Sequence, residues 1–236
     1  MRVTLLVPTL NEAGGMKVIM PQIKKEWYDQ LIVLDGNSTD GTVAYAKEHG
    51  YPVYIQKQKG MRHAYNEVWD QITGDVVVTF SPDGNSIPEL IPRCVEKIKE
   101  GYDMVIVSRY ASGAKSYDDD FMTGFGNWAF TTMINIFHGA RYTDAMVIYR
   151  VYRKDLAYEL GLMDDKGYEL AERLFATKVS WEPLLSIRAA RKKLKIAEIP
   201  GDEPPRVAGK RKLKVLQWGA VFLYQVIREM FVKKYN

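Results

Sequence analysis

Three polar segments of this chain group carboxylates with amide and hydroxyl oxygens: Pro8-Thr9-Leu10-Asn11-Glu12, Asp35-Gly36-Asn37-Ser38-Thr39-Asp40-Gly41-Thr42 and Ser81-Pro82-Asp83-Gly84-Asn85. Oxygen ligands of this kind suit a hard divalent cation such as Mg²⁺ or Mn²⁺, which takes one or two carboxylates and completes its shell with phosphate oxygens. Asp83 offers such a carboxylate and Asn85 a neutral oxygen. Because Asp-Gly-Asn is also an ordinary turn sequence, its weight comes from the company of the other two segments. Cationic groups are present as well. Lys59-Gly60-Met61-Arg62 opens a helical stretch, where a basic pair and free backbone N–H groups can meet an anion. Arg109 follows an apolar run, and its planar guanidinium can grip phosphate oxygens in pairs. His49, His63 and His138 show no ligand spacing and are assigned no metal or acid–base work.

The elements that must position these residues are legible in the hydrophobic pattern. Five short apolar runs, Val3 to Val7, Leu31 to Leu34, Val53 to Ile55, Val76 to Phe80 and Met104 to Val107, alternate with helical stretches. Most are continuous rather than alternating, as strands covered on both faces are, and their spacing suits right-handed βαβ units. An α/β fold with a mostly parallel, doubly wound sheet is expected. In such sheets ligands sit beyond the C-terminal strand ends, where the three polar segments fall. Helices are expected after Ser38-Thr39-Asp40 as far as His49, and after Ser86 as far as Glu100 with Pro88 in the first turn. Others are expected over Gly124 to Phe137, Glu169 to Lys178 and Glu182 to Lys193, with strands over Ala145 to Tyr152 and Lys195 to Ile199.

Ala111 to Phe121 reads as a loop suited to a lid, with Asp118-Asp119-Asp120 either solvated or holding a sugar hydroxyl or second cation. From Leu213 to about Val232 the apolar residues recur at helical spacing, flanked by Lys212, Lys214, Lys233 and Lys234. Three roles are open for that amphipathic helix: packing on the domain, contacting a second copy of the chain in a homo-oligomer, or lying in a membrane interface.

The 236 residues, 47% hydrophobic and 26% charged, suffice for one packed α/β domain with appendages. A single cysteine, Cys94, excludes an intrachain disulfide and a cysteine-based zinc site, which fits a reducing cytoplasmic compartment. No secretory leader is read at the N-terminus, and no window has the ~20 apolar residues of a spanning helix. Net charge is +4, but ten Lys and Arg against three acids fall between Arg188 and Lys214. An anionic partner is expected there. The absence of an aromatic-interleaved sheet or recognition motif argues against nucleic acid.

The polar segments resemble, in order and spacing, the Pro-Thr-x-Asn-Glu, Asp-x-Ser-x-Asp-Gly-Thr and Asp-x-Asp stations of family 2 glycosyltransferases. Pro88-Glu89 and Ser108-Arg109-Tyr110 are similar to segments of dolichol-phosphate mannosyltransferases and bacterial polyprenyl-phosphate glycosyltransferases. The resemblance implies a GT-A-like (Rossmann-like) domain over residues 1–212, followed by the amphipathic helix at 213–236. It implies a UDP- or GDP-linked sugar bound by Pro8, Asn11, Glu12, Asp35, Asp40, Lys59, Arg62 and Asp83, with Mg²⁺ or Mn²⁺ at Asp83 and Asn85. Asp83 and Arg109 would be catalytic, and a polyprenyl phosphate in a membrane surface would meet Arg109, Asn127, Thr131, Arg206, Lys210 and Arg211. Transfer would be direct, with inversion, by a peripheral enzyme on the cytoplasmic side.

Three departures stand out. Asn85 replaces the usual second Asp of the pair; Val147-Ile148 replaces Ser-Gly between Asp144 and Arg150; and Asn127, Thr131 and Asn135 share a helix face that lacks the family's arginine. Two other readings are carried: a hydroxyl glycan acceptor with Glu169 or Glu172 as base, and a nucleotide-sugar sensor without turnover.

Overall fold

The computed structural model describes residues 1–209 and 215–233. Seven strands, β1 (Val3–Thr9), β2 (Gln30–Asp35), β3 (Val53–Ile55), β4 (Val76–Thr79), β5 (Met104–Ser108), β6 (Arg150–Arg153) and β7 (Ile196–Pro200), form one sheet in the order β3-β2-β1-β4-β6-β5-β7. All neighbours are parallel except β6, which runs antiparallel to both β4 and β5. The continuous apolar runs have the expected consequence: successive side chains point to opposite faces, and each face has its own core. Leu6, Val77, Met104 and Ile106 join Tyr65, Trp69 and Trp181 on one side. Leu5, Val7, Val78 and Val105 join Met16, Ile91 and Cys94 on the other. Burial pushes the Cys94 thiol up to about 12, so it acts as a small apolar side chain.

Around the sheet lie α1 (Ala13–Ile19), α2 (Thr42–Glu48), α3 (Met61–Val68), α4 (Leu90–Lys99), α5 (Phe121–His138), α6 (Leu156–Glu159), α7 (Glu169–Phe175), α8 (Glu182–Arg191) and α9 (Val215–Glu229). Helix α4 begins at Leu90, so Pro88 precedes it instead of sitting in its first turn, and two further boundaries differ from the sequence reading for visible reasons. Helix α5 begins three residues early because Asp120 and Thr123 form a reciprocal capping box. The expected strand from Ala145 is confined to Arg150–Arg153: the buried Arg150 guanidinium takes the carbonyls of Ala145 and Val147 at 2.7 and 2.6 Å, curling that backbone away from the ladder.

Helix α9 packs on α5, α7 and α8, and its inner face carries Val221 and Val226 beside buried Gln225 and Glu229. The Glu229 carboxylate is fully buried and accepts from Arg188 at 3.0 and 3.1 Å and from Arg228 at 2.6 Å, with Arg191 at 3.7 Å. Leu216 and Ile227 remain 83% and 47% exposed, so the helix has an outward apolar surface as well. Among the described residues, no helix is long and apolar enough to cross a membrane. Because Glu229→Ala leaves buried arginines without their carboxylate, it is expected to cost ~3–5 kcal/mol in denaturant unfolding. A loss below about 1 kcal/mol would show that this network does not hold α9 in place.

Candidate donor and acceptor site

Strands β1 and β2 end side by side, with Pro8 opposite Leu34 and Thr9 opposite Asp35. Asp35 is fully buried and accepts from Thr9 Oγ1 (3.1 Å), Ser38 N (2.8 Å) and Ser38 Oγ (2.6 Å), which fixes the turn after β2. Asn11 sits at φ +52, a left-handed conformation that Asn tolerates, and its Oδ1 accepts from Thr39 N at 2.7 Å. Asp40 takes the first N–H of two helices, Ala13 of α1 and Thr42 of α2, each at 3.0 Å. Burial works to raise its pKa, but the bonds from Thr42 and Ala13 outweigh that and hold it below the usual carboxylate value. Glu12, also buried, donates its backbone N–H to Thr42 Oγ1. The start of α1 in turn rests on the turn after β4: a Cβ on Gly15 would lie 2.3 Å from the Pro82 carbonyl oxygen.

Beyond the ends of β4 and β5 lies a cavity of about 300 Å³ whose walls include Ser81, Asp83, Asn85, Arg109, Glu203 and Arg206. Asp83 Oδ1 accepts from Asn85 N at 3.1 Å, and its Oδ2 is 2.8 Å from Arg206 Nη1. Asn85 Nδ2 lies 3.4 Å from Glu203, whereas its Oδ1 is buried with no partner among the described residues. An orphaned amide oxygen next to a carboxylate already facing a cationic group fits a divalent cation. Among the described residues no cluster of three or more acidic, histidine or cysteine side chains could hold a metal, so an ion at Asp83 and Asn85 would complete its shell with other oxygens, of phosphate or water.

Arg109 points into the same cavity from the end of β5. Asp144, fully buried, grips it side-on, taking Nε at 2.6 Å and Nη2 at 3.0 Å, while Nη1 faces Glu203 at 3.3 Å and Asp119 at 3.4 Å. Burial opposes the charge, yet Asp144, then Glu203 and Asp119, push the pKa of Arg109 well above its ordinary value. Asp144 is itself placed by Glu198 of β7, which accepts from the backbone N–H groups of Thr143 and Asp144.

Several expected site residues stand elsewhere. Arg62 is almost wholly buried, pairs with Asp165 and with Glu172 (3.2 Å), and lies 4.5 Å over the Tyr168 ring. It fastens α3 to α7 instead of presenting itself beside Lys59, and it lines a different cavity of about 270 Å³. Glu169 and Glu172, the candidate bases for a hydroxyl acceptor, line that second cavity too, and Glu172 is committed to Arg62 and Lys178. Thr131 is buried and accepts from Ala145 N at 3.1 Å; Asn135 clasps the backbone of Tyr142. That helix face therefore supports the loop carrying Asp144, and only Asn127 keeps a buried oxygen without a partner among the described residues. Arg206 does line the cavity together with Arg109, where it pairs with Asp83 and Asp118. Lys210 and Arg211 lie outside the described residues.

The acidic triplet divides its work: Asp118 meets Arg206, Asp119 meets Arg109 and Tyr110, and Asp120 caps α5. Glu203 was not singled out in the sequence. Its partners Arg109 and Asn85 are 94 and 118 residues away, and no local pattern announces such contacts.

Comparison with known proteins agrees with this layout. Residues 4–161 match the family model described as glycosyl transferase family 2. The chain is 28% identical to a dolichol-phosphate mannosyltransferase of Pyrococcus furiosus, over 91% of this chain and 60% of that protein. It is 26% identical to an undecaprenyl-phosphate mannosyltransferase of Micrococcus luteus, over 97% and 98% of the two chains. Among solved structures, glucosyl-3-phosphoglycerate synthase from Mycobacterium tuberculosis, in complex with Mn²⁺, UDP and phosphoglyceric acid, superimposes with a TM-score of 0.68 at 17% identity, covering 98% of this chain and 79% of that one. That likeness shows the GT-A-like fold. With the family model matching well over half of its length, this chain belongs to glycosyl transferase family 2.

Proposed function

We propose that the protein transfers a sugar from a nucleotide sugar to a polyprenyl phosphate, with inversion and with a divalent cation held by Asp83 and Asn85. The observation that carries this reading is that one cavity joins the Asp83–Asn85 pair to Arg109. When bound, Mg²⁺ or Mn²⁺ would neutralise the diphosphate of the leaving nucleotide. Arg109 would hold the acceptor phosphate through Nη1, while Asp144 keeps the guanidinium plane fixed through Nε and Nη2. A phosphate oxygen is an anion at neutral pH, so positioning and charge stabilisation replace a general base. The commitment of Glu172 to ion pairs agrees with that economy. UDP- and GDP-linked donors both suit the site.

A lipid acceptor is favoured over the soluble phosphoglycerate of the structural relative by an aromatic stripe on α5. Phe121 is 89% exposed and stacks on Phe125, which in turn meets Trp128, 61% exposed. Exposed aromatics in a row suit a membrane interface. The triple change Phe121→Ser, Phe125→Ser, Trp128→Ser should cut transfer to a long polyprenyl phosphate in anionic vesicles by about tenfold or more. Transfer to a short, water-soluble prenyl phosphate should be unchanged. Equal losses on both acceptors, or transfer to phosphoglycerate exceeding both, would contradict a lipid acceptor.

A further inference from the structure

Gly201, Asp202, Glu203 and Arg206 of the segment from Gly201 to Gly209 line the cavity. Asp202 is taken up by the backbone N–H of Lys115, whereas Glu203 and Arg206, opposite in charge and three residues apart, are each set against a group of the site with the complementary charge. Glu203 lies at Arg109 and Arg206 at Asp83. The segment is laid down tightly. Val207 N donates to the Asp83 carbonyl at 2.9 Å, and Glu203 exchanges backbone bonds with Lys115 and Tyr117, both at 2.9 Å. A Cβ on Gly84 would lie 2.6 Å from Val207, and one on Gly14 would lie 2.6 Å from Ala208. Between the two charges, Pro204-Pro205 restricts the backbone and so the spacing of Glu203 and Arg206.

The charges at the ends of this segment are those the substrates would bring. Arg109 is already satisfied side-on by Asp144, and the contacts to Glu203 are longer, at 3.3 Å against 2.6 and 3.0 Å. The Glu203 carboxylate, which shares Nη1 with Asp119 of the facing loop and also accepts from Ser116 Oγ, thus stands where a second anion would meet the remaining nitrogen of the guanidinium. Arg206 likewise brings a cation to the carboxylate offered to the metal. We infer that residues 201–209 form a charge-mimicking strap, with Glu203 standing in for the acceptor phosphate and Arg206 for the donor's cation. Either substrate displaces the strap and thereby strengthens binding of the other. The inference rests on the donor and acceptor assignments proposed above. It makes the two sites thermodynamically coupled through one displaceable element, with reciprocal effects on affinity.

The test is calorimetry on the full chain, using MnCl₂ with UDP or GDP as one probe and inorganic phosphate as the other. Saturating phosphate should tighten Mn²⁺–nucleotide binding to the unmodified protein by about fivefold or more. Arg206→Gln should tighten Mn²⁺–nucleotide binding in the absence of phosphate, and Glu203→Gln should tighten phosphate binding. In the double variant the coupling should vanish. Gly14→Ala alters neither charge but lifts the strap through the crowded contact with Ala208, and should also tighten Mn²⁺–nucleotide binding. Coupling that survives in the double variant, or Arg206→Gln and Gly14→Ala affinities equal to the unmodified protein's, overturns the strap while leaving the donor site standing. If no form binds nucleotide in a Mn²⁺-dependent way, the donor assignment fails and the strap falls with it.

Discussion

Asp83→Ala is expected to abolish sugar transfer and to lower Mn²⁺-dependent nucleoside diphosphate affinity by about a hundredfold or more. Groups that merely support a metal ligand are worth about 10–100-fold in affinity, and Asp83 is the carboxylate of its turn, flanked in the cavity by Ser81 and Asn85, which carry no charge. The fold should tolerate the change. Asp83 contacts the Asn85 backbone and Arg206 at the cavity rim, and the strap's backbone bond from Val207 goes to the Asp83 carbonyl, which alanine retains. Calorimetry with and without EDTA reads the result; nucleotide affinity that EDTA does not diminish would remove the cation from this site. Asn85→Asp should move the other way and tighten Mn²⁺ binding, because the buried Asn85 Oδ1 has no partner among the described residues.

The second large effect is expected at Arg109. Its loss should cut transfer by about 10²–10³, the usual magnitude for removing a group that stabilises charge in a water-poor site, while donor affinity stays nearly intact. Alanine alone is an imperfect test, since it leaves fully buried Asp144 without its guanidinium and sets Asp119 and Glu203 near one another without the cation between them. Stability will fall as well. Arg109→Lys keeps the charge but gives up the side-on geometry with Asp144 and the paired grip on phosphate. It should therefore remain folded by thermal melting and recover only part of the transfer. If Arg109→Lys loses nucleotide-sugar affinity in step with transfer, Arg109 belongs to the donor side.

Much of the scaffold was legible because continuous apolar strands and polar strand ends are local signals. Val3 to Val7 and Met104 to Val107 are recognisable as doubly covered strands without knowing their neighbours, and both end at residues that build the site. What was not legible depends on contacts distant in sequence. Arg62 reads from the sequence as a ligand-facing cation, but Asp165 and Glu172, more than a hundred residues on, hold it. Ala145 to Tyr152 has the composition of a strand, but the buried Arg150 takes the carbonyls that a longer ladder would use. Arg206 shares the cavity with Arg109, but its contact with Asp83 follows from the path of residues 201–209 over Gly84, which no spacing rule predicts. The four-residue spacing puts Thr131 and Asn135 on one face of α5, yet that face serves the loop beneath it.

The account turns on one measurement: incubation of the protein with Mn²⁺, a labelled UDP- or GDP-sugar and polyprenyl phosphate in vesicles, followed by organic extraction. Label is predicted to enter the lipid phase in proportion to nucleoside diphosphate released, to require the phosphate on the prenol, and to stop with EDTA or with Asp83→Ala. Nucleoside diphosphate released equally with and without polyprenyl phosphate, while the lipid phase stays unlabelled with every donor, would contradict it.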